Sequence, residues 1–179
     1  MCKLSPLALM MVACLSIGPL RAEDNVSIQK AEMEITSGQS QTFEVALANV
    51  PASKRAVLGV TAWVMAGKFN GYVGAMKVYW NDVELKKSER PAVLEFLDGR
   101  KQPSFVPTVG WIVPYINDPD QYADHTESPY FIQEEGLNPA VFAFELPDVF
   151  DGTQELRIES TLQSEKNVLN VKDVSITYQ

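Results

Sequence analysis

The amino-acid sequence predicts an all-β protein, a two-sheet antiparallel β-sandwich or jelly roll of about eight to ten strands with little helix. Three observations predict it. Apolar and polar residues alternate in block after block, the period of a strand with one wet face. Turn-forming residues separate the blocks. No stretch of ordinary helix length carries an amphipathic repeat of 3.6 residues.

The chain of 179 residues opens with an expected export signal. Lys3 is the lone early positive charge and Leu7 to Ile17 is nearly all apolar. Gly18 and Pro19 break any helix, and Leu20-Arg21-Ala22 ends in the small residue that a signal peptidase needs. The apolar run is shorter than the roughly 20 residues that cross a bilayer, and no later stretch is long enough. Residues 1–22 are thus read as signal peptide and 23–179 as one β-sandwich domain, exported to the periplasm or secreted. An alternative is lipidation, because Met11-Val12-Ala13-Cys14 resembles a lipobox with Met11 where leucine is usual. Cys14 would then anchor the protein.

Taking 22 residues from 179 leaves 157, which suits one domain able to bury roughly two-thirds of its unfolded surface. The two cysteines, Cys2 and Cys14, both lie in the signal. The domain therefore has no disulfide, thiol nucleophile or thiolate metal ligand and must be held by its core.

The elements follow in order. Ala31, Met33 and Ile35 alternate with Glu32 and Glu34, and Phe43, Val45 and Leu47 with Thr42, Glu44 and Ala46. Val57 to Met65 is apolar on both faces and reads as a central strand. Met76, Val78 and Trp80 alternate with Lys77 and Tyr79, and Asn81-Asp82 before Val83 reads as a hairpin turn without the favoured glycine. Asp98-Gly99 is a turn. Val109 to Ile116 reads as a strand that Pro114 places at an edge or bulge. Val141 to Leu146 is a strand and Asp151-Gly152 a turn. Leu156, Ile158, Ser160 and Leu162 form another alternating series, and Val174, Ile176 and Tyr178 close the chain. The alternation changes phase between Val171 and Val174, which predicts a bulge near Lys172-Asp173.

Charge is the most informative feature. Without Lys3 and Arg21 the domain holds 13 basic and 23 acidic residues, a net of −10, which argues against nucleic acid and anionic lipid as partners. Between Lys101 and Arg157 there is no lysine or arginine, yet ten acids lie there: Asp118, Asp120, Asp124, Glu127, Glu134, Glu135, Glu145, Asp148, Asp151 and Glu155. Such crowding is offset either by solvent and distance or by a bound cation. The densest part, Asn117 to Ser128, carries Asp118, Asp120, Asp124 and Glu127, a set of oxygen ligands suited to Ca2+. It is not an EF-hand, since Tyr122 replaces a ligand and no glycine makes the sharp turn. A solvated acidic loop is the alternative.

Aromatic residues border that run: Trp111, Tyr115, Tyr122, Tyr130 and Phe131. A sugar ring packs its C–H face on an aromatic ring while carboxylates accept its hydroxyl protons. Trp111, Tyr115, Tyr122, Asp124, His125 and Tyr130 are accordingly candidate ligand contacts, with core packing the competing role for Trp111 and Phe131. His125 is the sole histidine, too few for a typical zinc site, and no G-x-S-x-G elbow supports a serine triad. No catalytic residue is assigned, and a small glycan-active hydrolase stays as a minor alternative because carboxylates are many.

Several segments resemble the galactose-binding-like jelly roll found in carbohydrate-binding and accessory domains of secreted bacterial glycoside hydrolases. Ala75 to Leu85 (A-M-K-V-Y-W-N-D-V-E-L) is similar to its strand-turn-strand, with Asp82 where glycine is frequent. Asn138 to Ile158 resembles its later strand, Gly-containing turn and strand ending L-x-I, and Val168 to Tyr178 its closing strand. The resemblance covers most of the domain and implies the fold. It also implies an alternative structural calcium site, for which Glu32, Glu34 and Asp173 are the corresponding residues. The implied function is a secreted, non-catalytic carbohydrate-binding or cell-surface module whose partner is a glycan. Lys86, Lys87, Arg90, Arg100 and Lys101 offer a second site for an anionic polysaccharide. A structural or protein-interaction sandwich without a small ligand is the other reading.

Overall fold

The computed structural model describes residues 25–66, 75–86, 105–117, 140–162 and 164–179. Twelve strands and no helix occur among them, two to four more strands than the alternation alone predicts. They are β1 (Asn25–Gln29), β2 (Met33–Thr36), β3 (Ser40–Leu47), β4 (Ala56–Ala66), β5 (Ala75–Trp80), β6 (Val83–Glu84), β7 (Phe105–Val106), β8 (Gly110–Ile112), β9 (Tyr115–Asn117), β10 (Ala140–Glu145), β11 (Gly152–Ser160) and β12 (Asn167–Tyr178). The excess comes from β1, which is not among the elements read from the sequence, from the two-residue β7, and from the division of residues 109–116 into β8 and β9.

Two six-stranded sheets form the sandwich. In the first, β4 and β12 pair antiparallel at the centre. β1 and β2 lie along the other edge of β12, while β10 and β9 lie along the other edge of β4. In the second, β11 lies between β3 and β5, and β8 joins β5 to β7. The central position expected for residues 57–65 follows from their being flanked by β12 and β10.

The inward positions are those that the alternation marks. Leu58, Val60, Ala62 and Val64 of β4 meet Val78, Trp80, Leu156 and Ile158 of the opposite sheet in one buried cluster. Burying each larger aliphatic or aromatic side chain contributes about 1.5–3 kcal/mol. β4 is apolar on its outer face as well: Trp63 is buried there beside Met65, with the Lys172 ammonium 5.6 Å from the Trp63 ring centre.

Two local devices match their sequence signals. Asn81 and Asp82 both have positive φ (48° and 64°), the two-residue turn whose twist suits the β5–β6 hairpin. In β12, Lys172 faces Thr61 but Ser175 faces Gly59, so one extra residue is inserted and Asp173 has a φ of 49°. This bulge lets Val171 and Val174 both point inward.

Residues 109–116 do not form the single strand that their apolarity suggests. β8 pairs within the second sheet, whereas β9 pairs parallel to β4 in the first. Val113 and Pro114 carry the chain from one sheet to the other, and the Pro114 carbonyl accepts a hydrogen bond from the Val64 N–H at 2.8 Å. Proline cannot donate to a ladder, so it ends one pairing and its carbonyl begins the next.

Candidate functional site

Several expected site residues lie outside the described residues: Tyr122, Asp124, His125 and Tyr130 of the ligand set, and Asp118, Asp120, Asp124 and Glu127 of the calcium set. So do Lys87, Arg90, Arg100 and Lys101. Lys86 pairs with Glu84 at 3.4 Å.

Trp111 and Tyr115 are described, and both are core residues, only 1% and 2% exposed. Trp111 donates its indole N–H to the Leu85 carbonyl at 2.8 Å. Its ring packs against Phe105 (centres 5.1 Å apart) and edge-on to Phe144 (5.5 Å) of the opposite sheet. Neither face is left for a sugar, so the packing role holds for Trp111. Tyr115 follows the sheet change at Pro114, which turns it inward.

Glu32, Glu34 and Asp173 are also described and exposed, but they are not assembled. Glu34 lies opposite Asn170, three residues along β12 from Asp173, about 10 Å at the rise of a strand. Among the described residues no three acids, histidines or cysteines are grouped closely enough to hold a metal ion. The implied structural calcium therefore does not fit these three residues.

An open groove does form at one end of the sandwich, with a volume of about 630 Å³. One wall is the connection from β3 to β4, with Val50, Pro51, Lys54 and Arg55; the other is the end of β10 and its turn into β11, with Glu145, Val149, Phe150 and Asp151. Asn49 (φ 58°), Asp148 (44°) and Gly152 (125°) supply the left-handed backbone positions that fold the two connections back tightly. Asn and Asp tolerate this region better than other non-glycine residues. Ala56 and Leu146 close the base, where the Leu146 N–H donates to the Ala56 carbonyl at 2.9 Å.

The walls are tied to each other. Asp151 Oδ1 accepts the Val50 N–H at 2.7 Å, and Arg55 lies 3.9 Å from the Glu145 carboxylate. Both side chains of the ion pair reach solvent, Arg55 with 69% exposure and Glu145 with 27%, so the pair is weak and opens readily. Phe150, which lines the same groove, is 56% exposed, one of two large apolar side chains left so exposed among the described residues. Its main chain is nonetheless fixed. Gln154, itself buried, donates to the Phe150 carbonyl at 3.1 Å and accepts at Oε1 from the Asn81 amide at 2.6 Å.

No protein-family model matches the chain, and no curated protein matches its sequence. The site must therefore be read from its own chemistry. An apolar ring on a fixed backbone, an acceptor carboxylate and a donor guanidinium converge on one groove. Nearby, Tyr178 is held above the ordinary tyrosine range by burial, then by the negative charge of Asp151.

Sequence reading missed Phe150, Arg55 and Glu145 as site residues. A signal was present in Pro147-Asp148-Val149-Phe150-Asp151-Gly152, where a turn composition holds an aromatic residue outside any alternating series. Nothing in the sequence pointed to its partner wall, because Val50 and Asp151 are 101 positions apart.

Proposed function

We propose that this chain is an exported, non-catalytic carbohydrate-binding sandwich of the galactose-binding-like kind, with its glycan site in the end groove. The observation that carries the reading is Phe150: a ring kept in solvent on a hydrogen-bonded turn, lining the same groove as Glu145 and Arg55. A ring on a hydrogen-bonded turn leaves only its side-chain rotation to be lost when a ligand stacks on it. The groove volume falls within the range of small-ligand sites, roughly 300–1,000 Å³. Among the described residues no helix is long and apolar enough to cross a membrane.

The test is a glycan array with the domain from Glu23, run with and without calcium because Asp118, Asp120, Asp124 and Glu127 supply oxygen ligands in sequence. Retention of a defined glycan supports the reading. Absence of any binding in both conditions removes it.

One observation favours a second reading, a protein-interaction sandwich. Among the described residues β3 pairs only with β11, and its eight residues contain no proline, lysine or register shift to guard the outer edge. Light scattering over a concentration series tests this; a strict monomer at high concentration counts against self-pairing through β3.

A further inference from the structure

We infer that the groove selects an uncharged sugar residue, stacked on Phe150 and hydrogen-bonded through Glu145, with Asp151 acting only to hold the two walls together. The inference rests on the carbohydrate-binding reading above and assigns roles within the same site.

The charges of the lining decide the ligand class. Lys54 and Arg55 stand on one wall and Glu145 and Asp151 on the other, so the groove carries no net formal charge. A uronate or sulfated sugar would find Lys54 and Arg55 already faced by carboxylates across the groove and, at longer range, a domain of net charge −10. A neutral polyol meets what it needs, since hydroxyls both donate and accept: the carboxylate accepts, the guanidinium donates.

The two carboxylates are not equivalent. Asp151 commits Oδ1 to the Val50 N–H at 2.7 Å, a link between the walls that fixes its carboxylate in place. Among the described residues Glu145 makes only the 3.9 Å contact with Arg55, beyond good hydrogen-bond length. A hydroxyl inserted between them would accept from Arg55 and donate to Glu145, replacing a loose ion pair by two short bonds. Phe150 would cover the apolar face of the same ring. Gln154 bonds the Phe150 carbonyl and the next residue, Asp151, is tied to Val50, so the turn that carries the ring is anchored before the ligand arrives.

The experiment uses the domain from Glu23 and two panels of immobilised oligosaccharides, one neutral and one containing uronates or sulfates. Wild type is expected to prefer the neutral panel. Phe150→Ala is expected to weaken that binding about tenfold, the scale of one aromatic stacking contact. Glu145→Gln should weaken it several-fold. Both variants should melt close to wild type, because Phe150 is largely exposed and Glu145→Gln gives up only a 3.9 Å contact with the exposed Arg55 guanidinium. Asp151→Ala should weaken binding, and Asp151→Asn, which keeps the Oδ1 acceptor, should restore it. Neutral-glycan binding unchanged in Phe150→Ala overturns the groove while leaving the carbohydrate reading intact. A preference for the anionic panel overturns the ligand class. Wild type binding neither panel overturns both this inference and the reading beneath it. Failure of Asp151→Asn to rescue overturns the holding role of Asp151.

Discussion

Asn81 and Gln154, 73 positions apart, are joined by a 2.6 Å hydrogen bond from the Asn81 amide to Gln154 Oε1. Asn81 also accepts the Glu155 N–H at Oδ1 (2.9 Å), and its own N–H donates to the Glu155 carbonyl (2.9 Å). The β5–β6 turn is thereby clamped to the start of β11, and Gln154 passes the constraint to Phe150.

Gln154→Ala should remove both links of this relay. It leaves the Asn81 amide and the Phe150 carbonyl without their partner, at a cost of about 1–3 kcal/mol in urea unfolding. Asn81→Ala should overlap with it, so that the double variant costs less than the two single ones together. Equal additivity would show that the two residues act separately.

Gly110→Ala should be among the most damaging single changes in the domain. Gly110 has a φ of 101°, and an added Cβ would lie 2.3 Å from the Met76 carbonyl oxygen and 2.9 Å from Lys77 Cγ. The backbone atom cannot yield as a side chain would. β8 would be forced off β5, carrying Trp111 with it, so a loss above about 3 kcal/mol or failure to accumulate as folded protein is expected. Gly152→Ala, with positive φ but nothing within 4 Å, should cost distinctly less.

Alkaline stability should depend on Tyr178. Its folded pKa is raised by burial and then by Asp151, so the phenol ionises more readily in the unfolded chain. The sign follows: stability is fully present below the unfolded value of about 10 and is lost as pH rises through the higher folded value. Tyr79 contributes in the same direction, through burial first and then Glu159 and Glu84. In thermal melts between pH 8 and 11, Tyr178→Phe should decline less steeply above pH 10 than wild type. Parallel declines would exclude Tyr178 as a source of the slope.

What was legible in the sequence was local. The Asn81-Asp82 turn and the bulge at Asp173 each leave a mark within a few residues, and both are present in the structure. The alternation in residues 43–47, 76–80 and 156–162 marked the inward faces because a one-sided sheet imposes period two. The sheet change at Pro114 was not legible, since Val109 to Ile116 is apolar on either side of the break and burial in either sheet requires the same residues. For the same reason Trp111 and Tyr115 could not be sorted between core and surface by type alone. The groove was hidden for a different reason: it joins residues 50–55 to 145–151, and no local pattern records which connections share an end of a sandwich.

The crossing at Val113-Pro114 has a mechanical consequence. Because Trp111 is anchored in one layer and Tyr115 in the other, a span of five residues rivets the two sheets together. Sliding one layer over its neighbour would tear the Val64–Pro114 bond and drag Trp111 from beneath Phe144. The layers are therefore obliged to come apart together, and a ligand gripping loops at the far rim would load both sheets at once rather than peel one away.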